Sequence, residues 1–199
     1  MRDLRGDEVY LVDDRLHAGE RSRVADAERL LHTRFPRGSE AFVTTFGEGT
    51  YADHLRVYPP AWEVREYRTS QAGWRDLQGE EEAMLDAAYG YTMSRFLASI
   101  IVMDTVDGDE FVFHPDDPEN IFIYRHETAE MYRVGGTLGE AMEWVMEAGE
   151  LFDPARTGVL SPSGELVARR FRYFLPESRD GRLVSFSLPG GCTRRWMAT

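Results

Sequence analysis

Apolar residues in this chain fall into short runs of changing period, and each period predicts a different element. Residues 97–103 (LASIIVM) form a nearly unbroken apolar run, rich in β-branched side chains and too short to cross a membrane. That is the pattern of a strand covered on both faces, expected at the centre of a sheet. Asp107-Gly108 supplies the positive-φ pair of a tight turn, and Phe111, Val112 and Phe113 return as a second strand. The HPDDP segment at 114–118 turns the chain again before Ile121 to Tyr124 runs out as a third. With a fourth strand over 130–134, the centre of the chain reads as a locally connected meander.

Elsewhere the period is helical. Val24, Ala27 and Leu31 share one face of a helix over 21–32, which Phe35-Pro36 interrupts because a residue before proline avoids helical geometry. A short helix over 39–45 carries Phe42, with Phe46 one turn on, and Gly47 and Gly49 stop it. A strand over 55–58 leads through Pro59-Pro60 into a helix over 62–67 bearing Trp62 and Tyr67. Glu80, Glu81 and Glu82 precede Met84, Leu85, Ala88 and Tyr91, which predicts a helix over 80–92 with its first-turn charge matched to the dipole. Thr137 and Glu140 have capping-box spacing, each side chain satisfying the other's amide. They open a helix with Leu138, Ala141, Met142 and Val145 on its apolar stripe, closed at Gly149. At the ends, a short strand is expected over 9–12, a connector over 150–164, and a hairpin of 168–175 and 182–188 around Asp180-Gly181. The segment from Pro189 reads as a frayed tail, and Trp144, opposite its helix's apolar stripe, as cover for the sheet margin.

Charge changes the picture more than composition does. The chain has 199 residues with a net charge of −12, and all 23 of its basic residues are arginine. Residues 1–36 carry 7 arginines and 8 acids, residues 37–150 carry 8 and 23, and residues 151–199 carry 8 and 4, giving −1, −15 and +4. A centre at −15 repels nucleic acid and speeds encounter with a cationic protein. Arg169, Arg170, Arg172 and Arg182 are expected to lay the positive end against the acidic body. The charged start lacks the apolar middle of a secretory signal, and the single Cys192 excludes an internal disulfide, so a cytoplasmic location is expected.

Catalytic and metal signals are weak. The five histidines fall in five different elements or turns. His126-Glu127-Thr128-Ala129-Glu130 starts like a zinc-protease helix, but its fifth residue is Glu and it lies between two strands. His114 beside Asp116 and Asp117 reads as a turn. Asp104, Asp107 and Asp109 lack the spacing and closing glutamate of a calcium loop. No serine sits in a nucleophile elbow, and Cys192 has no assignable base nearby. No metal, cofactor or enzymatic activity is expected. The acids are too numerous for any one carboxylate pair to stand out, which leaves an enzyme with an unrecognised carboxylate site as an alternative.

The order of these features resembles the SUKH superfamily, the cell-wall-assembly-regulator type. Phe35-Pro36-Arg37-Gly38-Ser39-Glu40-Ala41-Phe42 followed by Phe46-Gly47-Glu48-Gly49 is similar to that family's proline-led helix and aromatic-glycine stop. Leu55-Arg56-Val57-Tyr58 with Pro60-Ala61-Trp62 looks like its next strand and helix entry, and Ile100 to Asp104 with the 107–111 turn resembles its most recognisable piece. The resemblance covers roughly 20–149, with 1–19 as a lead-in, an insertion near 70–95, and 150–199 as connector, hairpin and tail. It implies an α+β fold: a mostly antiparallel sheet of about five or six strands with helices packed on one side, here with a C-terminal β-hairpin extension. It also implies a non-enzymatic protein-binding domain, an immunity protein that neutralises a polymorphic toxin such as a basic nuclease. A cytoplasmic regulatory scaffold is the alternative. The partner-binding residues expected on this reading are Asp107, Asp109, Asp116, Asp117 and Glu119, with Glu80, Glu81 and Glu82.

Overall fold

The computed structural model describes residues 9–11, 16–51, 54–58, 84–86, 88–148, 172–176, 183–188 and 192–197. Four helices run through them: α1 (Arg21–Leu31), α2 (Ser39–Thr45), α3 (Met93–Leu97) and α4 (Leu138–Ala148). The strands are β1 (Val9–Leu11), β2 (Gly49–Tyr51), β3 (Leu55–Val57), β4 (Met84–Asp86), β5 (Tyr91–Thr92), β6 (Ile100–Thr105), β7 (Glu110–His114), β8 (Asp117–Arg125), β9 (Glu130–Gly135), β10 (Arg172–Pro176), β11 (Leu183–Leu188) and β12 (Cys192–Met197). The main sheet has the order β1-β10-β2-β3-β6-β7-β8-β9. Its six strands from β2 to β9 are antiparallel throughout, and only the β1–β10 pair is parallel. The α+β class and the central meander are as the sequence implies.

β6 is buried at all six positions because the sheet is covered on both faces. Ile100, Val102, Phe111, Phe113, Ile121 and Ile123 form one apolar cluster with Val24 of α1, Phe42 and Val43 of α2, and Leu138, Ala141 and Val145 of α4. Ile101, Val112, Phe122 and Met131 face the other way, against Tyr91 and against Phe96 and Leu97 of α3. A register shift between Ile101 and Met103 turns Val102 and Met103 into the same cluster. Phe122 lies between Tyr89 and Tyr91, with ring centroids 5.5 and 4.3 Å away. Arg133 stacks over Tyr89 and Arg95 over Tyr91, which ties the small β4–β5 hairpin to the sheet.

Several boundaries differ from the sequence expectations. The helix over 80–92 does not form in its described part: Met84–Asp86 and Tyr91–Thr92 pair as a hairpin. Asp86 accepts from the amides of Ala88 and Tyr89, and Gly90 takes φ +60°, so a side-chain-stabilised turn replaces the helical one. The first residue of the 97–103 run closes α3, whose N-cap is Thr92, and the strand starts only at Ile100. α1 stops at His32, in the left-handed region at φ 53°, three residues before Phe35. The C-terminal hairpin is built of β11 and β12, not of strands flanking 180–181; β10 instead joins β1 and β2, and Cys192 opens a strand. The expected helix over 62–67, the connector over 150–164, Gly149 and the side chains of the arginine clasp lie outside the described residues.

Trp144 is partly buried against the main cluster, its ring 5.6 Å from that of Tyr132 on the edge strand β9, as sheet-margin cover requires. Gly47, at φ +74°, allows the lead-in backbone to cross it; a Cβ there would lie 2.0 Å from the His17 carbonyl oxygen. The α4 cap is offset by one residue. Thr137 Oγ1 accepts from the Glu140 amide at 3.1 Å, but Glu140 Oε2 reaches back to the amide of Gly136 at 2.7 Å, not to that of Thr137. Thr137→Ala is expected to lower stability by about 1 kcal/mol in urea titration with an unchanged m-value.

Candidate docking surface

The meander puts its turns at two opposite ends. The β6–β7 and β8–β9 turns share one end with the approach to β3, and the β7–β8 turn lies at the other. β7 separates them by five residues, about 17 Å of strand. The expected partner-binding acids therefore divide. Asp107 and Asp109 stand at the first end; Asp116, Asp117 and Glu119 stand at the second. Glu80, Glu81 and Glu82 lie outside the described residues.

At the first end the two aspartates have different surroundings. Asp107 is half exposed, next to the exposed Val106. Asp109 is buried. Its Oδ1 accepts from the backbone amide of His126 at 3.2 Å and lies 3.1 Å from the same residue's ring Nδ1. Its Oδ2 forms an ion pair with Arg125 Nε at 3.3 Å, while Arg125 Nη1 donates to Tyr132 at 3.1 Å. The carboxylate thus fastens the β6–β7 turn to the β8–β9 turn. The turn itself is closed by bonds from the Thr105 amide to the Asp109 carbonyl (2.8 Å) and from the Asp109 amide to Thr105 Oγ1 (3.0 Å). Gly108, at φ +100°, packs under the His126 ring. Glu127 and Glu130 are exposed beside this pair of turns.

At the second end, Asp116 is almost fully exposed, 3.8 Å from His114 Nδ1. Asp117 is engaged by Asn120 Nδ2 at 2.8 Å and by Arg95 Nη2 at 3.5 Å. Glu119 is exposed. Thr33 Oγ1 donates to the Pro115 carbonyl at 2.7 Å, so α1's exit braces this turn.

Two clusters whose partners come from other strands complete the picture. His54 is buried beneath the β6–β7 turn, its carbonyl accepting from Val106 N at 2.9 Å and its Nδ1 lying 4.0 Å from Asp107 Oδ2. Burial pushes its pKa down against the opposing pull of Asp107 and Asp109. Across the β3–β6 pair, the mostly buried Asp104 accepts from Arg56 Nε at 2.8 Å, from Arg56 Nη2, and from the Tyr58 hydroxyl at 2.7 Å. Burial raises the Asp104 pKa, opposed by those bonds, and also raises that of Tyr58, which stays a donor. Neither cluster has a local sequence signature, because every partner comes from another strand or turn.

No family model matches the chain, and no curated protein or solved structure does. Among the described residues no helix is long and apolar enough to cross a membrane.

The Asp104 cluster acts as a cross-strand brace. Arg56→Leu leaves a carboxylate in a buried position without its guanidinium, at an expected cost of about 1–3 kcal/mol at pH 7. The folded Asp104 carboxyl titrates above its unfolded value, so its contribution is fully present below the unfolded pKa and lost as pH rises through the folded one. A protonated Asp104 needs no counter-charge. The stability gap between variant and wild type should therefore narrow between pH 7 and pH 4 in parallel urea titrations.

Proposed function

We propose that this chain is a non-enzymatic protein-binding domain of the SUKH type, an immunity protein whose acidic exterior docks on and neutralises a basic toxin domain, a nuclease being the class that fits. The observation that carries this reading is the pairing of charge with rigidity. The −15 segment contributes exposed carboxylates at Asp107, Asp116, Glu119, Glu127 and Glu130. They sit on or beside turns tied down by bonds from neighbouring elements. Charges held in fixed positions lose little entropy on docking, and a negative field steers a cationic partner toward them. A nuclease suits such a surface because it must itself be positive to hold its polyanionic substrate. The resemblance in the order of elements over 20–149 supports the same assignment.

Co-expression with the toxin encoded beside its gene tests the proposal. Cells carrying both should survive where cells carrying toxin and empty vector do not; equal killing would contradict it. A regulatory scaffold, the second role implied by the resemblance, would instead be indicated by affinity capture of housekeeping proteins together with failure to rescue.

A further inference from the structure

We infer that the β7–β8 turn is a proton-sensitive latch: neutral His114 holds the Asp116 amide through its ring Nδ1, and a proton on that nitrogen exchanges the amide for the Asp116 carboxylate, withdrawing one negative charge from this end of the sheet. The inference rests on the docking reading only for its purpose; the latch itself is a property of the isolated chain. One bond fixes the protonation state of the ring. The Asp116 amide donates to His114 Nδ1 at 3.2 Å. A backbone N–H can only donate, so Nδ1 is the bare nitrogen of a neutral imidazole and the ring proton sits on Nε2. His114 thus does what an asparagine does in an Asx turn, offering an acceptor on its γ carbon to the amide two residues on. An asparagine oxygen keeps that role in acid. The imidazole does not, because a protonated Nδ1 has nothing left to offer the amide.

The peptide unit between Pro115 and Asp116 is gripped at both ends. Thr33 Oγ1, from the exit of α1, donates to its carbonyl at 2.7 Å, and His114 takes its N–H. A planar unit turns as a whole, so losing the imidazole frees it to pivot about the Thr33 bond. The Asp116 carboxylate lies 3.8 Å from the same Nδ1; its side chain is 88% exposed and that of His114 only 15%. Among the described residues, the charged groups acting on the ring are Arg95 of α3, Asp116 in the turn and Asp117 of β8. Arg95 opposes a proton there, and Asp117 is already engaged by Arg95 and Asn120. Asp116 is therefore the counter-charge that a protonated ring recruits, across a gap that a change of side-chain rotamer closes. Burial, reinforced by Arg95, lowers the His114 pKa below the ordinary histidine value, so the latch is closed at neutral pH and opens on acidification.

For a docking surface the consequence is directional. Acid removes the most exposed carboxylate of the second end from a basic partner's reach, and loosens the brace between this turn and α1.

The test is an NMR titration from neutral pH into acid of the wild-type chain, His114→Asn and Asp116→Asn, following the His114 ring Cε1 proton and the Asp116 amide. The ring signal is assigned by its absence in His114→Asn. In wild type the Asp116 amide should shift with the same midpoint as the ring. His114→Asn supplies an acceptor that acid does not remove, so its Asp116 amide should show no step at that midpoint. Asp116→Asn keeps the amide and removes the counter-charge, so the His114 midpoint should fall. The latch would be overturned by a wild-type amide that stays flat while the ring titrates, by the same amide step in His114→Asn, by an unmoved His114 midpoint in Asp116→Asn, or by a ring that stays neutral until the chain unfolds. Because no partner is present, each result is independent of whether the domain neutralises a toxin.

Discussion

Replacing Phe111 with alanine is expected to destabilise the fold by about 3–5 kcal/mol, the range for deleting a fully buried aromatic side chain. Phe111 has no exposed surface and sits at the centre of the meander, paired with Met103 on one side and Ile123 on the other. Its ring belongs to the cluster shared with α1, α2 and α4. Three helices and the sheet would have to collapse together to fill the space it leaves, and a cluster drawn from so many elements relaxes poorly. Urea titration monitored by tryptophan fluorescence gives the number directly. A loss under 1 kcal/mol would mean that the helical layer does not pack on this face as described.

The second large effect separates two acids that look alike in sequence. Asp109→Ala is expected to cost about 2–3 kcal/mol, because it removes the acceptor of a backbone amide and the counter-charge of Arg125 at a buried position. Asp107→Ala, two residues earlier and half exposed, should change stability by no more than about 0.5 kcal/mol. If the chain docks as proposed, affinity for the partner should respond in the opposite sense. Asp107 faces outward and is available to a partner. Asp109 acts by holding the β6–β7 turn against the β8–β9 turn, so conservative Asp109→Asn should recover part of the stability without altering the exposed charge. Equal stability losses for the two alanine variants would remove this distinction.

These contrasts also show where sequence reading reaches its limit. The meander was legible because its signals are local: an apolar run, Asp107-Gly108, a return of Phe111 to Phe113, and a Pro-Asp turn, each acting within a few residues. α2 and the start of α4 were legible for the same reason. The helix over 80–92 failed because Met84, Leu85, Ala88 and Tyr91 satisfy a helical period while Asp86 and Gly90 satisfy a turn, and the turn bonds prevailed. The destination of β10 was hidden because its partners, β1 and β2, lie more than a hundred residues away in sequence. Asp109 was read as a surface acid because hairpin acids are normally solvated. Its role depends on Arg125 and His126, which the pairing of β7 with β8 brings alongside, and no spacing within the turn announces that. His54 is the same case: its place beneath the β6–β7 turn comes from the pairing of β3 with β6.

The division of the acids between two ends constrains the proposed docking. On the proposed docking, a partner of ordinary size would engage one end of the sheet or span about 17 Å of it, the length of β7. The first end carries the exposed Val106 beside Asp107, and the neighbouring β8–β9 turn carries the exposed Glu127 and Glu130. The second end carries the exposed Asp116 and Glu119.

The measurement that bears most directly on the proposed docking is the affinity of the purified chain for the basic toxin domain proposed as its partner, taken at low and high salt for wild type and for Asp107→Lys with Glu127→Lys. Docking through the acidic exterior predicts binding that weakens steeply with salt and falls on the order of tenfold or more in the charge-reversed variant at low salt. Binding that ignores both salt and charge reversal, or no binding at all, would contradict it.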